Sequence, residues 1–409
     1  MRTERRRSRL GAAIGTVVLT VAACGSPASV PSDHETSTRA SAAAPDYATA
    51  LKPRLEHLAQ EMLVTGAVVM VRSPDLGDWT TTIGTRRYRG TDPVQPTDHI
   101  RIGSVTKTWT GTVILQLVEE GRLALSDPVS QYRPDVPNGT KITIEQLLTM
   151  RSGLYNYTHS LEHNVAMDET PDRAWKPNEL LALGYAEPVS FGPGRGWEYS
   201  NTNTVLLGVI AEQLTGKPLA EAIQERVLDR VGMTDSSFPA VTDAALPDDH
   251  ARGYTYGTNV QTMKSPVLPE AVQAAAKAGT VAPMDVTDVN PSWAWSAGAG
   301  ISTAADLAAY AVALTDGTLL GYKLQRQRLD SVEPVDPKDP EGPGYGLGLA
   351  RFGSLYGHTG ELPGYNTFVG HDPERKITVV IWTSLEPTPA GQAPATMLAR
   401  SVIEALYSS

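Results

Sequence analysis

Strand patterns lie near both ends of this chain. Near the N-terminus, short apolar runs stand at 66–71 and 80–88, separated by the turn residues Pro74, Asp75 and Gly77. Beyond residue 344, further runs joined by short turns predict antiparallel strands at 345–352, 355–360, 365–370 and 377–383. A sheet built from both ends of a chain constrains the fold strongly, because everything between the ends must be an insertion.

Helical periodicity precedes the first strand and fills the middle of the chain. Leu51, Leu55, Leu58 and Met62 recur at spacings of four, three and four, which predicts an amphipathic first helix. More helices are predicted at 105–120, 144–150, 179–183, 204–214, 219–231, 304–314 and 395–406. We therefore expect an α/β fold plus an all-α part. One antiparallel sheet built from the N- and C-terminal segments is flanked by helices and carries an inserted helical domain.

The first 24 residues have the composition of an export signal. Five arginines precede residue 10, and residues 10–23 form an apolar run that is short for a membrane span. The run ends at Val21-Ala22-Ala23-Cys24, which resembles a bacterial lipobox, and Cys24 is the only cysteine. We predict that Cys24 is lipidated and becomes the mature N-terminus. An ordinary secretory signal with an incidental cysteine and an uncleaved anchor are the alternatives.

These patterns divide the chain into parts. We predict a lipoprotein signal peptide at 1–24, a flexible tether rich in Ser, Ala, Pro and Thr at 25–45, and a folded domain at 46–409. Within the folded domain, we expect the sheet region at about 46–103 and 296–409. The helical insert is expected at about 104–295. The Pro- and Asp-rich segment 239–292 is expected to form a lid or a substrate wall.

Composition excludes some classes of function. The 409-residue chain has a formal charge of −10 and no basic patch with interleaved aromatic residues, so we expect no nucleic-acid partner. Removal of residues 1–23, which carry five arginines and one glutamate, would make the charge −14. The histidines show no metal-ligand spacing, and we predict neither a metal nor another cofactor. We expect a monomer on the extracytoplasmic face of the cell membrane, attached through a lipid at Cys24.

Ser104 and Lys107 combine a hydroxyl nucleophile with an amine base. The tetrad Ser104-Val105-Thr106-Lys107 is the only S-x-x-K in the chain, and on a helix its two polar side chains share one face. A serine hydroxyl is a weak nucleophile until a neighbouring base takes its proton. Taken alone, such a pair is more often a solvated helix face than a catalytic site.

Two further motifs follow in order. Tyr199-Ser200-Asn201 comes after a run rich in Gly, and His358-Thr359-Gly360 lies on a predicted strand. With S-x-x-K, they resemble the motif set of the penicillin-recognising serine hydrolase superfamily, in its branch of class C β-lactamases, serine DD-carboxypeptidases and related esterases. The similarity extends from about Asp46 to the C-terminus and implies a β-lactamase/transpeptidase-like fold.

The resemblance implies a role for each motif residue. Ser104 would form an acyl-enzyme, and Lys107 would take the Ser104 proton. Tyr199 would relay a proton to the leaving group and activate water for deacylation. Asn201 would orient Lys107 and hydrogen-bond the substrate amide. The backbone N–H groups of Ser104 and Glu361 would form an oxyanion hole.

His358 departs from the commonest family pattern, which is K-T-G. A histidine is only partly charged near neutral pH, so it would bind a substrate carboxylate less firmly than lysine does. Thr359 would still offer a hydrogen bond, and we assign His358, Thr359, Gly360 and Glu361 to substrate binding beside Asn201.

We expect an exported, lipid-anchored serine hydrolase, first of all a D-alanyl-D-alanine carboxypeptidase or peptidase that acts on cell-wall peptides. An esterase or weak β-lactamase of the same fold is the first alternative, with an acyl ester as substrate. A non-catalytic envelope-binding lipoprotein is the alternative from another class.

Overall fold

The computed structural model describes residues 44–407, in which eight strands form one antiparallel sheet. The strands are β1 Gly66–Arg72, β2 Trp79–Gly84, β3 Glu333–Pro334, β4 Gly344–Tyr345, β5 Ala350–Phe352, β6 Leu355–Leu362, β7 Tyr365–Asp372 and β8 Ile377–Thr383. Their spatial order is β2-β1-β8-β7-β6-β5-β4-β3. Short two-stranded ladders join Ile100–Arg101 to Ile301–Ser302 and Tyr254–Thr255 to Met284–Asp285.

The first strand in sequence pairs with the last. Val69 of β1 lies opposite Ile381 of β8 on one side and opposite Thr81 of β2 on the other. β1 and β8 are buried along nearly their whole length, as expected for strands in the interior of a sheet that is covered on both faces. The prediction of one antiparallel sheet from both ends of the chain is confirmed.

Thirteen α-helices occur between residues 44 and 407. They are α1 Asp46–Glu61, α2 Thr106–Glu119, α3 Ile144–Leu148, α4 Leu161–Glu169, α5 Pro177–Ala186, α6 Asn201–Thr215, α7 Leu219–Ile223, α8 Asp229–Val231, α9 Asn259–Thr262, α10 Glu270–Lys277, α11 Ala304–Asp316, α12 Tyr322–Asp330 and α13 Pro394–Tyr407. One turn of π-helix, Gln224–Leu228, joins α7 to α8. Gly216 and Gly232, both left-handed, end α6 and α8.

Helices cover both faces of the sheet. On one face, α1 and α13 bury Leu55 and Val402 against Val69 and Ile381. On the other face, Val68 of β1 belongs to a larger core that includes α2, α6 and α11. The two faces alternate residue by residue along β1, because successive side chains of a strand point in opposite directions.

α2 lies at the centre of the helical part. Every residue from Thr106 to Leu117 is buried, so α2 contacts protein all round, as a core helix does. Arg328 of α12 ties it to the sheet, because its guanidinium donates to Thr112 Oγ1 at 3.0 Å and to the carbonyl oxygens of Leu347 and Gly348 at 3.2 Å. The helix that follows Ser104 is therefore held from several sides.

Some element boundaries differ from the sequence-based expectation, each for a local reason. The second strand ends at Gly84, not at residue 88, because Gly84 takes a φ of +75° that leaves the strand conformation. The run 345–352 is two short strands, since the backbone turns at Gly348 with a φ of +67°. The segment 239–292 contains two short helices and two short strands. The helix α12 was not predicted, because its sequence lacks a clear apolar periodicity.

The predicted signal peptide, the lipidation site Cys24 and most of the tether lie outside the described residues. Within 44–407, no helix is both long enough and apolar enough to cross a bilayer. The described residues 44–407 group together as one compact unit, and the predicted division between sheet region and helical insert stays a prediction.

Candidate active site

Ser104 lies in a 3₁₀ turn that leads into α2. The turn spans Gly103–Val105 and the helix begins at Thr106, so Ser104 is placed where the helix dipole is positive. Gly103 has a φ of +54°, and a Cβ atom there would come within 2.6 Å of the Glu361 backbone nitrogen. Glycine therefore allows the nucleophile's turn to lie directly against the end of β6.

Lys107 is buried one helical turn after Ser104. Its Nζ lies 2.9 Å from Ser104 Oγ, 2.7 Å from Asn201 Oδ1 and 2.7 Å from the Ala297 carbonyl oxygen. Only 1% of its surface is exposed. Burial lowers the pKa of Lys107 well below its usual range, and the negative charge of Glu361 only partly opposes this effect.

The three contacts of Lys107 specify how a neutral amine would be oriented. Asn201 Oδ1 and the Ala297 carbonyl oxygen can only accept hydrogen bonds. A neutral amine therefore directs its two N–H groups at Asn201 and Ala297, which leaves its lone pair facing the Ser104 hydroxyl. This is the arrangement a general base requires, because the proton acceptor lies within hydrogen-bond distance of the proton it takes.

Asn201 is held in place by Asn156 and Thr158, which belong to none of the three sequence motifs. It is the first residue of α6, and its Nδ2 lies 3.3 Å from both Asn156 Oδ1 and Thr158 Oγ1. Its backbone N–H also donates to Asn156 Oδ1 at 3.1 Å. These contacts orient the Asn201 amide so that its oxygen faces Lys107.

Tyr199 closes the other side of the site. Lys107 Nζ lies 4.8 Å from the centre of the Tyr199 ring. The Tyr199 hydroxyl is buried and lacks a well-formed hydrogen bond. Burial raises the pKa of Tyr199 well above its usual value, and a loose interaction with Ser104 works in the opposite direction. Burial therefore favours the neutral phenol of Tyr199 and the neutral amine of Lys107, which would place a proton donor and a proton acceptor beside Ser104.

His358 is a buried neutral side chain, in contrast to the expectation of a partly charged one. Its Nδ1 faces the Thr359 carbonyl oxygen, and its Nε2 lies 3.2 Å from the Tyr345 hydroxyl. A carbonyl only accepts, so Nδ1 carries the proton and Nε2 accepts from Tyr345. Burial is the main cause that lowers the pKa of His358 to about 3, and Lys107 adds to the effect when it is protonated. His358 therefore supplies no positive charge for a substrate carboxylate at neutral pH.

The backbone of β6 approaches Ser104 along its free edge. β5 pairs only with Leu355 to Gly357, so the second half of β6 has no strand on that side. Glu361 neighbours the pair Leu362–Tyr365 that closes the β6–β7 hairpin. Because hydrogen-bonded and non-bonded pairs alternate in an antiparallel ladder, the Glu361 N–H points away from β7 and toward the turn of Ser104.

Gly360 and Thr359 occupy the same edge. A Cβ atom at Gly360 would lie 2.0 Å from the Ile102 carbonyl oxygen, so a side chain there would push β6 away from the nucleophile. Thr359 is half-buried. The side chain of Glu361 reaches solvent, yet the protein around it raises its pKa above the usual value.

The structure thus brings the predicted residues from three distant segments of sequence into one site. The site also contains Asn156, Thr158, Tyr345 and the Ala297 carbonyl, which lie outside the three sequence motifs. Their contacts are tertiary, so their roles were not readable from spacing.

Comparison with known proteins identifies the family. Residues 54–403 match the family described as Beta-lactamase. PbpX of Bacillus subtilis is 26% identical over 71% of this chain and 63% of its own length. Esterase EstB of Burkholderia gladioli is 30% identical over 63% of this chain and 67% of its own length. The chain therefore spans about two thirds of these curated relatives.

The fold also matches solved structures. A D-stereospecific amidohydrolase from Streptomyces sp. is 31% identical with a TM-score of 0.73, and the match covers 89% of this chain and 99% of that one. An octameric penicillin-binding protein homologue from Pyrococcus abyssi matches with a TM-score of 0.70 and 25% identity over 88% of this chain and 77% of that one. Because a homologue is octameric, the expected monomer stays a prediction.

This chain belongs to the beta-lactamase family and has its fold. The family and the site together define it as a serine hydrolase, as the motifs predicted.

Proposed function

We propose that this protein cleaves an amide bond on the carbonyl side of a D-amino acid residue, through an acyl-enzyme on Ser104. The observation that carries the proposal is the contact set of Lys107 with Ser104, Asn201 and the Ala297 carbonyl. It supports a neutral amine as the base. The similarity to a D-stereospecific amidohydrolase supports a D-configured acyl group.

The reaction uses the side chains in a definite order. Lys107 takes the proton of Ser104 as the hydroxyl oxygen attacks the substrate carbonyl carbon. The developing oxyanion is stabilised by the backbone N–H groups of Ser104 and Glu361, and loss of one such donor typically costs about 3 kcal/mol. Tyr199, a neutral phenol, gives its proton to the leaving amine, and the same groups then activate the water that releases the acyl product.

A cell-envelope peptide that contains D-alanine is the physiological substrate we propose. The predicted export signal and the lipobox-like sequence support a location outside the membrane, with attachment through a lipid at Cys24. Hydrolysis at a terminal D-alanyl-D-alanine is the carboxypeptidase form of this activity. The neutral state of His358 disfavours it, because a free C-terminal carboxylate would lack the cation that usually pairs with it.

Matched substrates separate these forms. We would compare an acylated D-Ala-D-Ala peptide with its C-terminal amide and with the diastereomer that has L-alanine on the acyl side, using the fragment that follows Cys24. We expect cleavage of both D-configured peptides, faster cleavage of the amide, and no cleavage of the L-diastereomer. Equal rates for the D- and L-configured peptides would contradict D-specificity.

The nucleophile is tested separately. A fluorescent penicillin or a serine-directed activity probe is expected to label the wild-type protein and the control variant Ser190→Ala, whose serine is exposed on a loop. Ser104→Ala is expected to remain unlabelled. Equal labelling of Ser104→Ala would overturn the assignment of the nucleophile.

Ester hydrolysis is the second candidate, and the similarity to esterase EstB favours it. Turnover of p-nitrophenyl acetate without cleavage of any D-alanyl peptide would favour the esterase activity. Nitrocefin hydrolysis tests the β-lactamase alternative in the same assay.

A further inference from the structure

A cavity opens beside the end of β6. It has a volume of about 410 Å³ and is lined by Glu361 and Leu362 of β6, by Glu386 and by parts of the segment 239–292. Glu361 joins the two regions, since its backbone N–H faces the turn of Ser104 while its side chain lines the cavity. Ser104 and Lys107 do not line the cavity, so Glu361 is the link through which a substrate bound at Ser104 would extend into it.

The cavity is acidic. Four carboxylates line it, and none of its lining residues is Lys, Arg or His in the part of the chain that the structure describes. Two of the four carboxylates already have hydrogen-bond or ion-pair partners within the protein. Asp168 accepts from the backbone N–H groups of Asn259 and Val260, and Asp285 pairs with Arg252.

The other two carboxylates, those of Glu361 and Glu386, have no ion-pair partner within residues 44–407. Glu386 is only 8% exposed, and its Oε2 is buried without a hydrogen-bond partner. Burial raises the pKa of Glu386 well above its usual range, and the charge of Glu361 adds to the effect. A buried carboxylate without a partner is costly, so a cation placed between the two would stabilise both.

The rest of the cavity wall combines apolar side chains with the polar residues Thr255, Thr258, Asn259 and Thr262. The apolar side chains include those of Met167, Met284, Val286, Val289 and Leu362. No group of three or more potential metal ligands occurs within residues 44–407. Apolar side chains around an unpaired carboxylate fit an organic cation carried on an aliphatic stem better than a hydrated metal ion.

We propose that this acidic pocket binds a primary ammonium group that the substrate carries on an aliphatic stem. The proposal deepens the proposed function, on which it rests, since it names a charge that the acyl donor must have. The same pocket repels a substrate carboxylate, which agrees with the lack of a positive charge on His358.

Binding is tested without turnover by methyl NMR of the Ser104→Ala protein labelled at methionine. We would titrate hexylammonium and hexanol, which differ only in the terminal group, and follow the methyl signals of Met167 and Met284. We expect hexylammonium to shift both signals with an affinity about tenfold higher than that of hexanol, as a hydrogen bond to a charged group provides. Equal affinities, or no shift with hexylammonium, would overturn the proposal.

Variants identify the carboxylates responsible. Glu386→Gln, and separately Glu361→Gln in case the buried site does not tolerate the first change, are expected to remove the preference for hexylammonium. Glu341→Gln removes the same charge from an exposed position outside the cavity and is expected to keep it. Loss of the preference in Glu341→Gln, or its retention in both cavity variants, would contradict the proposal.

A kinetic comparison then asks whether the pocket serves the substrate. The wild-type protein would be given 6-aminohexanoyl-D-alanine amide and hexanoyl-D-alanine amide. We expect about tenfold higher kcat/KM for the charged compound, mainly through a lower KM. Cleavage of both at equal rates would overturn the pocket and leave the proposed function intact, whereas cleavage of neither, with ammonium binding seen by NMR, would reject the proposed function alone.

Discussion

Nζ of Lys107 lies 2.7 Å from Oδ1 of Asn201, and the Asn201 amide is itself oriented by Asn156 and Thr158. The amide oxygen takes one N–H of the amine without placing a negative charge beside it. Burial can therefore lower the pKa of Lys107 while the amine stays hydrogen-bonded. A carboxylate in the same position would stabilise the ammonium form and remove the base.

Asn201→Asp is expected to move the acidic limb of the pH profile of kcat/KM upward by about 1–2 pH units, because an opposite charge within hydrogen-bond distance raises the pKa of Lys107. The measurement is a pH–rate profile with p-nitrophenyl acetate. Asn201→Ala is the matched control, since it removes the hydrogen bond without adding charge, and it should lower the rate without that shift. An unchanged acidic limb in Asn201→Asp would show that Lys107 is not the titrating base.

Lys107→Arg is expected to lower the rate of acylation by about 10³-fold, because a guanidinium stays charged and cannot accept the Ser104 proton. Stopped-flow measurement of acyl-enzyme formation with a fluorescent penicillin reports this step directly. Circular dichroism before the assay checks that the variant is folded. Acylation within tenfold of the wild-type rate would argue against general-base catalysis by Lys107.

Gly103→Ala is expected to reduce kcat by about 100-fold or more, because its Cβ would displace the Glu361 N–H from the oxyanion site. Gly121→Ala is the matched control. Gly121 has a similar positive φ of +68° but open space where a Cβ would stand, so it should lose about 1 kcal/mol of stability with normal kcat. Steady-state kinetics and thermal unfolding of both variants separate the clash from the backbone strain.

The free energy of unfolding is expected to fall as the pH drops below about 6.5. Burial lowers the pKa of His163 to about 4 and that of His358 to about 3, from 6.5 when unfolded. The unfolded chain therefore binds these protons first, and each histidine contributes a loss of about 1.4 kcal/mol per pH unit between 6.5 and its folded pKa. Urea unfolding at pH 7.5, 6.5, 5.5 and 4.5 measures the slope.

His163→Phe provides the control for that slope. His163 packs among Tyr157, Trp175 and Trp293, and neither of its ring nitrogens has a hydrogen-bond partner. A phenylalanine keeps the packing and removes the titration, so the variant should lose stability less steeply below pH 6.5. A slope identical to that of the wild-type protein would show that His163 does not contribute.

The fold was predictable because local periodicity is enough to place strands and helices. The apolar runs at both ends of the chain and the helical spacing between them led to the sheet that joins β1 to β8. The exact ends of strands were less accessible, since they depend on single residues such as Gly84 and Gly348 whose backbone conformation responds to the surrounding structure. The weak periodicity of α12 hid that helix.

The sequence by itself determined which chemical groups the site contains: the order of Ser104, Lys107, Tyr199, Asn201 and His358 is a property of the chain. Only the tertiary structure decided their protonation. Residues distant in sequence exclude water from Lys107, Tyr199 and His358, and this burial favours the neutral form of each.

The acidic pocket has the same origin. Glu361 and Glu386 stand 25 positions apart and share no motif, and folding alone places them on one cavity with the walls of the segment 239–292. The motifs and their spacing in the sequence show which side chains are present. Burial and the nearest charges, which act through space, determine what those side chains do.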